Sequence, residues 1–271
     1  MRSDIKKIKG FKRAYIQKLE GEFVNDASFY YYNGLKFLNI PVTFFNEDSD
    51  YKLELDRETL VVAGVPTTLK VFKELGIEPP KPLDIPEELN QPFSYLGREI
   101  VFTTIGDVLN DNVNTKFNLL KDKETNKIRY PLFVKPSEHG KLFNGQLVFC
   151  KEELEMFRYC HRELDLNIPI MISSRMDFAS EYRCFILEGE ILDIRKYRGD
   201  YEVTPNFHQI KQMVKAYKSA PIAYALDVGV LGNGDTFVVE CNDAYSLGPY
   251  GFDNFNLTRM FIMRWKQIIG A

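Results

Sequence analysis

Apolar and polar positions change period repeatedly along the 271 residues, and each change marks an element. The run "FYYYNGLKFLNIPVTFF" is interrupted by Asn33, Gly34, Lys36, Asn39 and Pro41, too often for a membrane span. It predicts a helix, a turn and a strand at Val42 to Phe45. "TLVVAGVPTTLKVFKELGIEPP" predicts a short strand, a break at Gly64 and Pro66, then a helix through Leu69, Phe72 and Leu75 that stops at Gly76. Together these make a small α/β layer. The proline-rich "EPPKPLDIPEELNQP" behind it reads as a linker.

From Arg98 onward hairpins alternate with helices. "YPLFVKPSEHGKLFNGQLVFC" predicts strand, polar glycine-containing loop, strand, and "CKEELEMFRYCHREL" an amphipathic helix. "IPIMISSRMDF" predicts a strand running into a loop. "EYRCFILEGEILDIRKYRG" predicts a hairpin turning at Glu188-Gly189, "NFHQIKQMVKAYKSA" a helix, and "LTRMFIMRWKQII" a closing amphipathic helix. Helices combined with mostly antiparallel hairpins indicate an α+β class.

A second hairpin changes the picture from fold to chemistry. "DVGVLGNGDTFVVECND", Asp227 to Asp243, holds two β-rich runs around Asn233-Gly234, the dipeptide suited to a type I′ turn. With those residues as the loop, Asp227 faces Glu240 and Asn242 lies one pleat further along the same side. Val228, Val230, Phe237 and Val239 then form the core side, and Gly229, Leu231, Thr236 and Val238 share the carboxylate side. Two carboxylates about 5 Å apart repel by roughly 3 kcal/mol at an effective dielectric near 20. A divalent cation reverses the sign. Two carboxylates and an amide oxygen suit Mg²⁺, which takes its remaining ligands from water and phosphates. The plain alternative is a surface hairpin with its acids in water.

Phosphates call for cations, and the chain has them. Lys135 ends the apolar run of "FVKP". Lys141 lies in "EHGKLFNG", where Gly140 and Gly145 allow close backbone approach to an anion, although the loop matches no Walker pattern. In the 180–199 hairpin Arg183 and Lys196 are near neighbours, with Lys196 expected opposite Glu181. Arg98 and Lys116 are isolated basic residues that read as solvated on chemistry alone. Of the three histidines, His161 falls on a helix, while His139 and His208 stand near a loop and a helix start; they share no metal-ligand spacing.

Composition excludes more than it selects. A net charge of −3, with 27% charged residues, argues against a dedicated nucleic-acid binder. The four cysteines form no close pair, which fits a reduced cytoplasmic setting. The basic "MRSDIKKIKGF" lacks the apolar core of a signal peptide. No serine sits in a nucleophile-elbow sequence and no Lys-x-Asp-Gly sequence occurs, so neither a serine hydrolase nor a lysyl-adenylate nucleic-acid ligase is indicated.

"FVKP", "EYRCFILEGEI", "ALDVGV…GDTFVVECND" and the closing "NDAYSLGPYGFDN…RW" resemble the ordered motifs of the ATP-grasp superfamily, in particular its small stand-alone bacterial and phage members. The resemblance runs from about Arg98 to Ile269. It implies an ATP-grasp fold of two α+β subdomains, the smaller at 96–168 and the larger, with the Mg²⁺ site, at 169–271, behind an α/β domain at 1–95. It implies ATP and one or two Mg²⁺ ions, held by Asp227, Glu240 and Asn242. Lys135 would contact the phosphates, with Arg98 and Lys116 as further nucleotide candidates. The loop with Gly140, Lys141 and Gly145 would cover the triphosphate. Met171, Ile172, Ser173 and Ser174 would meet adenine through backbone groups, and Asp177 the ribose.

Arg183 and Lys196 would neutralise the transferring γ-phosphoryl group. Many members carry an arginine where this chain has Ala225, so Arg183 or Arg195 would supply that charge. The hinge carries Ser173 and Ser174 where an acidic residue is usual. Tyr245, Ser246, Tyr250 and His208 are the substrate-side candidates. The reaction implied is ATP-dependent joining of a small-molecule or peptide carboxylate to an amine through an acyl phosphate, with a small-molecule kinase or a non-catalytic ATP sensor as alternatives. No membrane partner is implied, and an oligomer is left open.

Overall fold

The computed structural model describes residues 10–46, 52–137, 142–160 and 165–270. Three four-stranded sheets organise them. In the first, β1 (Arg13–Leu19) is central. It pairs with β2 (Glu22–Phe23) in a hairpin and runs parallel to β3 (Val42–Asn46) and β4 (Thr59–Val62). Parallel strands need crossovers, and α1 (Asp26–Phe37) provides the one into β3; α2 (Val65–Glu74) follows β4. Asn25 caps α1 by accepting from the Ser28 N–H at 3.0 Å. Gly76, at φ +71°, lies just past the end of α2, where the sequence places the stop.

The second sheet is antiparallel in the order β5 (Ile100–Thr104), β8 (Pro169–Ser174), β6 (Leu132–Pro136), β7 (Gln146–Val148). Its apolar face packs with α3 (Ile105–Leu109) and α4 (Lys151–Cys160) around Ile105, Leu132, Leu154 and Ile172. The third sheet runs β10 (Glu190–Gly199), β9 (Ser180–Leu187), β11 (Ala223–Val230), β12 (Thr236–Asp243), all antiparallel. The β9–β10 turn sits at Glu188-Gly189 with φ of 52° and 78°, the positive pair a type I′ turn requires.

Both faces of the third sheet are covered, so β11 is buried along its whole length. Alternate residues therefore enter different cores. Tyr224, Leu226, Val228 and Val230 meet α5 (Phe207–Ala216) through Ile210 and Met213. Phe185, Leu187, Ala223 and Ala225 meet α6 (Asn254–Ile269) and the first sheet, around Trp265, Phe261 and Phe72. The proline-rich segment is no free linker: Ile85 and Leu89 are buried in the α5-side core, and the Asp84 carbonyl accepts the Cys241 N–H at 2.6 Å. Among the described residues no helix is long and apolar enough to cross a membrane.

Candidate functional site

Asp227 and Glu240 are direct cross-strand partners, and Asn242 pairs with Ala225 on the same side. The route to that register differs from the one the sequence suggests. The loop is not the dipeptide Asn233-Gly234. Leu231 and Asp235 close a three-residue loop, and of its members only Gly234 takes a positive φ, +90°, as in a three-residue hairpin loop with glycine at the left-handed position. That moves the register by one residue, and a bulge between Asp227 and Val228 moves it back.

Between the two shifts the faces are exchanged. Val238, expected beside the carboxylates, pairs with Val228 and is fully buried. Val239, expected in the core, lines a cleft, and Phe237 is only half-buried.

The cleft has a volume of about 450 Å³ and lies between the second and third sheets. Phe133, Leu147, Met171, Met176, Phe178 and Val239 supply apolar walls, while Arg98, Lys135, Glu181, Arg198 and Glu240 supply charge. Gly145, Ser173, Ser174 and Asp177 line it too. Gly145 is constrained by close approach: a Cβ there would lie 2.5 Å from Phe133 Cζ. Gly229 makes room for a wall, since its Cβ would fall 2.3 Å from the Phe178 ring.

Ile172 is the exception in the expected adenine segment, its side chain buried in the second-sheet core. Met171, Ile172 and Ser173 also pair with β6 on one side and β5 on the other. Their backbone groups are therefore committed to the sheet, and among the described residues Arg175 and Met176, after Ser174, enter no sheet pairing.

Lys135 leaves β6 into the cleft and donates to Glu240 at 2.9 Å and to Asp84 at 2.7 Å. Burial pushes the ammonium down, but the charges of Glu240 and Asp84 outweigh it and hold the group above its ordinary value. For Glu240 burial pushes up, and Lys135, Asn242 and Arg183 together bring the carboxyl below its usual range. Asp227, 2% exposed, accepts a two-pronged bond from Arg183, Nε to Oδ1 at 2.8 Å and Nη2 to Oδ2 at 2.7 Å. Burial still leaves this carboxyl raised, while Asp227 holds the Arg183 guanidinium well above its ordinary value.

The Asn242 amide bridges the acids, with Nδ2 donating at 3.1 Å to both Asp227 Oδ2 and Glu240 Oε1. Among the described residues no three His, Cys, Asp or Glu side chains converge as a metal set. The donors are the two carboxylates and this amide. A half-turn of the amide exchanges its nitrogen for oxygen, and two carboxylates with an amide oxygen are a donor set that fits Mg²⁺, although both Asp227 oxygens here accept from Arg183.

Arg98, expected in solvent, is buried. Its Nη1 donates to the carbonyls of Leu96 at 3.0 Å and Val238 at 2.8 Å, and burial lowers its pKa to about 10. Lys116 is exposed over the Phe117 ring and lines neither this cleft nor the cavity described below. Two bulges in β10 displace the expected Lys196–Glu181 pair: the first puts Lys196 opposite Tyr182, over the Tyr201 ring, and the second puts Arg198 opposite Glu181. Arg195 stands opposite Arg183 and is paired with Asp193. Gly140, Lys141, His139 and His161 lie outside the described residues.

A larger cavity, about 910 Å³, opens beyond Arg183. It is lined by the start of α1, the end of β4 and residues 245–251, including Tyr245, Ser246 and Tyr250. The Asp243–Arg264 ion pair, at 2.6 and 2.8 Å, fixes the root of that loop and joins the two ends of the closing motif. Arg183 lines neither space but touches the wall of the larger one: Nη1 reaches the Gly248 carbonyl at 3.4 Å and the Tyr250 ring lies 4.9 Å from the guanidinium carbon. Tyr197 stacks on Tyr250 with ring centroids 5.0 Å apart and donates to Glu181. His208 is exposed on α5, beside Gln212, and lines neither space.

Residues 95–260 match the model of the ATP-grasp domain, R2K clade family 2. No curated protein matches the chain in sequence. Solved structures share the fold at low identity. The D-alanine–D-alanine ligase of Bacillus anthracis complexed with ATP aligns with a TM-score of 0.51 and 16% identity over 95% of this chain and 97% of that one. D-cycloserine synthetase DcsG gives 0.59 and 11% over 94% and 99%. The L-amino acid ligase of Bacillus licheniformis gives 0.54 and 17% over 95% and 75%.

Proposed function

Because the chain belongs to family 2 of the R2K clade of ATP-grasp domains, we propose that it is an ATP-dependent ligase that joins a carboxylate to an amine. The observation that carries this reading is an unbroken line of contacts, Lys135–Glu240–Asn242–Asp227–Arg183–Gly248. It leads from the cleft to the larger cavity. A nucleotide site and a substrate site joined by charged groups suit a reaction that moves a phosphoryl group between them.

ATP would lie in the cleft with its base against Met171, Met176 and Phe178, beside the backbone at Arg175, and with Asp177 near the ribose. Its phosphates would meet Lys135, beside Gly145 in the same wall. Arg98 supports that wall by holding the Val238 carbonyl. Asp227, Glu240 and Asn242 would hold Mg²⁺, which when bound offsets phosphate charge.

The substrate carboxylate, entering from the larger cavity, attacks the γ-phosphorus and ADP leaves. The amine, as its free base, then attacks the acyl carbon. Phosphate leaves and the nitrogen sheds one proton. Arg183, between the two spaces, stabilises the charge that develops in both steps, and Arg195 stands next to it. The chain contributes position and cations rather than a covalent nucleophile. The larger cavity is rich in aromatic rings, and among the described residues its charged lining side chains are Glu22 and Asp26, which suits the amine partner. Arg183 beside Gly248 would meet the carboxylate.

The test is ADP and phosphate release with Mg²⁺-ATP and a pool of amino acids, polyamines and small carboxylates, with Glu240→Ala as the blank. Equimolar ADP and phosphate, with a product weighing acid plus amine less water, is the expected result. ADP with a stable phosphate ester would make the protein a kinase instead. Mg²⁺-ATP binding without turnover on any pool would favour a sensor.

A further inference from the structure

Lys135 is held by two carboxylates, and only one belongs to the Asp227–Glu240 hairpin. The other, Asp84, comes from the proline-rich segment, outside the residues 95–260 that the family model matches. Asp84 is fixed by its own backbone. Its φ is +40°, a region that L residues rarely enter, its carbonyl accepts the N–H of Cys241, next to Glu240, and Ile85 is anchored in the core beside it. From there the side chain reaches Lys135 at 2.7 Å with both groups mostly buried, 21% and 15% exposed.

Lys135 and Glu240 line the cleft; Asp84 stands behind them and does not. An ammonium has three N–H donors. Asp84 takes one and Glu240 another, which leaves one for a ligand.

Resting on the nucleotide reading above, we infer that Asp84 is a positioning residue for nucleotide binding. It draws the Lys135 ammonium away from full engagement with Glu240, so that Lys135 faces the phosphates and Glu240 keeps an oxygen for a cation. Without the Asp84 charge, Lys135 collapses onto Glu240, and each neutralises the group the other should present. The N-terminal segment thus takes part in nucleotide affinity without touching the nucleotide.

The experiment measures binding of ATP and of adenosine by calorimetry in the presence of Mg²⁺, and the Mg²⁺ concentration needed for half-maximal ATP binding. It uses the full chain as wild type, Asp84→Asn, Asp84→Glu, Lys135→Met and the Asp84→Asn/Lys135→Met double variant. Asp84→Asn is expected to weaken ATP about tenfold and to raise the Mg²⁺ requirement, leaving adenosine unchanged, with Asp84→Glu recovering part of the loss. In the Lys135→Met background Asp84→Asn should have no further effect.

Equal losses for ATP and adenosine, or an undiminished loss in the Lys135→Met background, would show that Asp84 merely docks its segment and would overturn the inference. So would unchanged or tighter ATP binding. A wild type that binds neither ligand would remove the nucleotide reading itself, a result distinct from any of these.

Discussion

Arg183 on β9 and Asp227 on β11 stand directly opposite each other and form a two-pronged ion pair at 2.7 and 2.8 Å in a part of the sheet buried on both faces. Their side chains are 8% and 3% exposed, so water does little to screen either charge. Removing one partner of such a pair leaves the other charged, buried and alone. Arg183→Met should therefore destabilise the fold by about 3–5 kcal/mol, read from urea unfolding. Arg183→Met with Asp227→Leu should recover much of that loss. A cost below about 1 kcal/mol for the single change would mean that water reaches the pair.

Acid should act on Glu240 and Asp227 in opposite senses. Glu240 sits below its ordinary value of 4.5 in the folded chain, so its stabilising contribution is present above that value and is lost as pH falls through the lower native one. Asp227 is raised, so the native state takes up its proton more readily than the unfolded chain, and acidification relieves the cost of burying its charge. The stability gap between wild type and Glu240→Gln should be constant near neutrality and close progressively as pH falls below 4.5. For Asp227→Asn the gap should move the other way. Unfolding curves across that range decide the signs.

Gly229→Ala should push the Phe178 ring, which would otherwise lie 2.3 Å from the new Cβ, into the cleft. The expected cost in stability is about 1–3 kcal/mol, the usual range for overpacking. Nucleotide binding should weaken more than that implies, since Phe178 is a cleft wall. A variant of full stability and full ATP affinity would place the ring elsewhere.

Arg98→Met keeps most of the side-chain volume and removes the donors that hold the carbonyls of Leu96 and Val238. Buried carbonyls left without partners cost about 1–3 kcal/mol, so the midpoint of thermal unfolding should drop. Arg98→Lys can restore at most part of it, because an ammonium lacks the planar fork that spans several acceptors.

The candidate site was legible where its residues lay close in sequence. Asp227, Glu240 and Asn242 are the clearest case, and even there the agreement came from two offsets. The three-residue loop and the bulge shift the register in opposite directions and cancel at the carboxylates. Between them they do not cancel, so Val238 and Val239 exchange the faces expected of them. Lys196 lost its expected partner for the same reason, the first bulge in β10. A single inserted residue turns every later side chain to the other face, and nothing in the local pattern announces it.

The sequence by itself determined the elements: the helices after Asn25, Gly64, Asn206 and Asp253, the hairpin turns near Gly189 and Gly234, and the acids carried on one strand pair. These depend on periodicity and turn chemistry, which act over a few residues. Only the tertiary structure decided that Arg98 would be buried against β12, that Arg183 would neutralise Asp227, and that Asp84 would reach Lys135 across 51 positions. Charge is the reason. Whether an ionic side chain stays in water depends on whether the fold offers it a partner in a place that water has left, and those partners come from strands brought together only by folding.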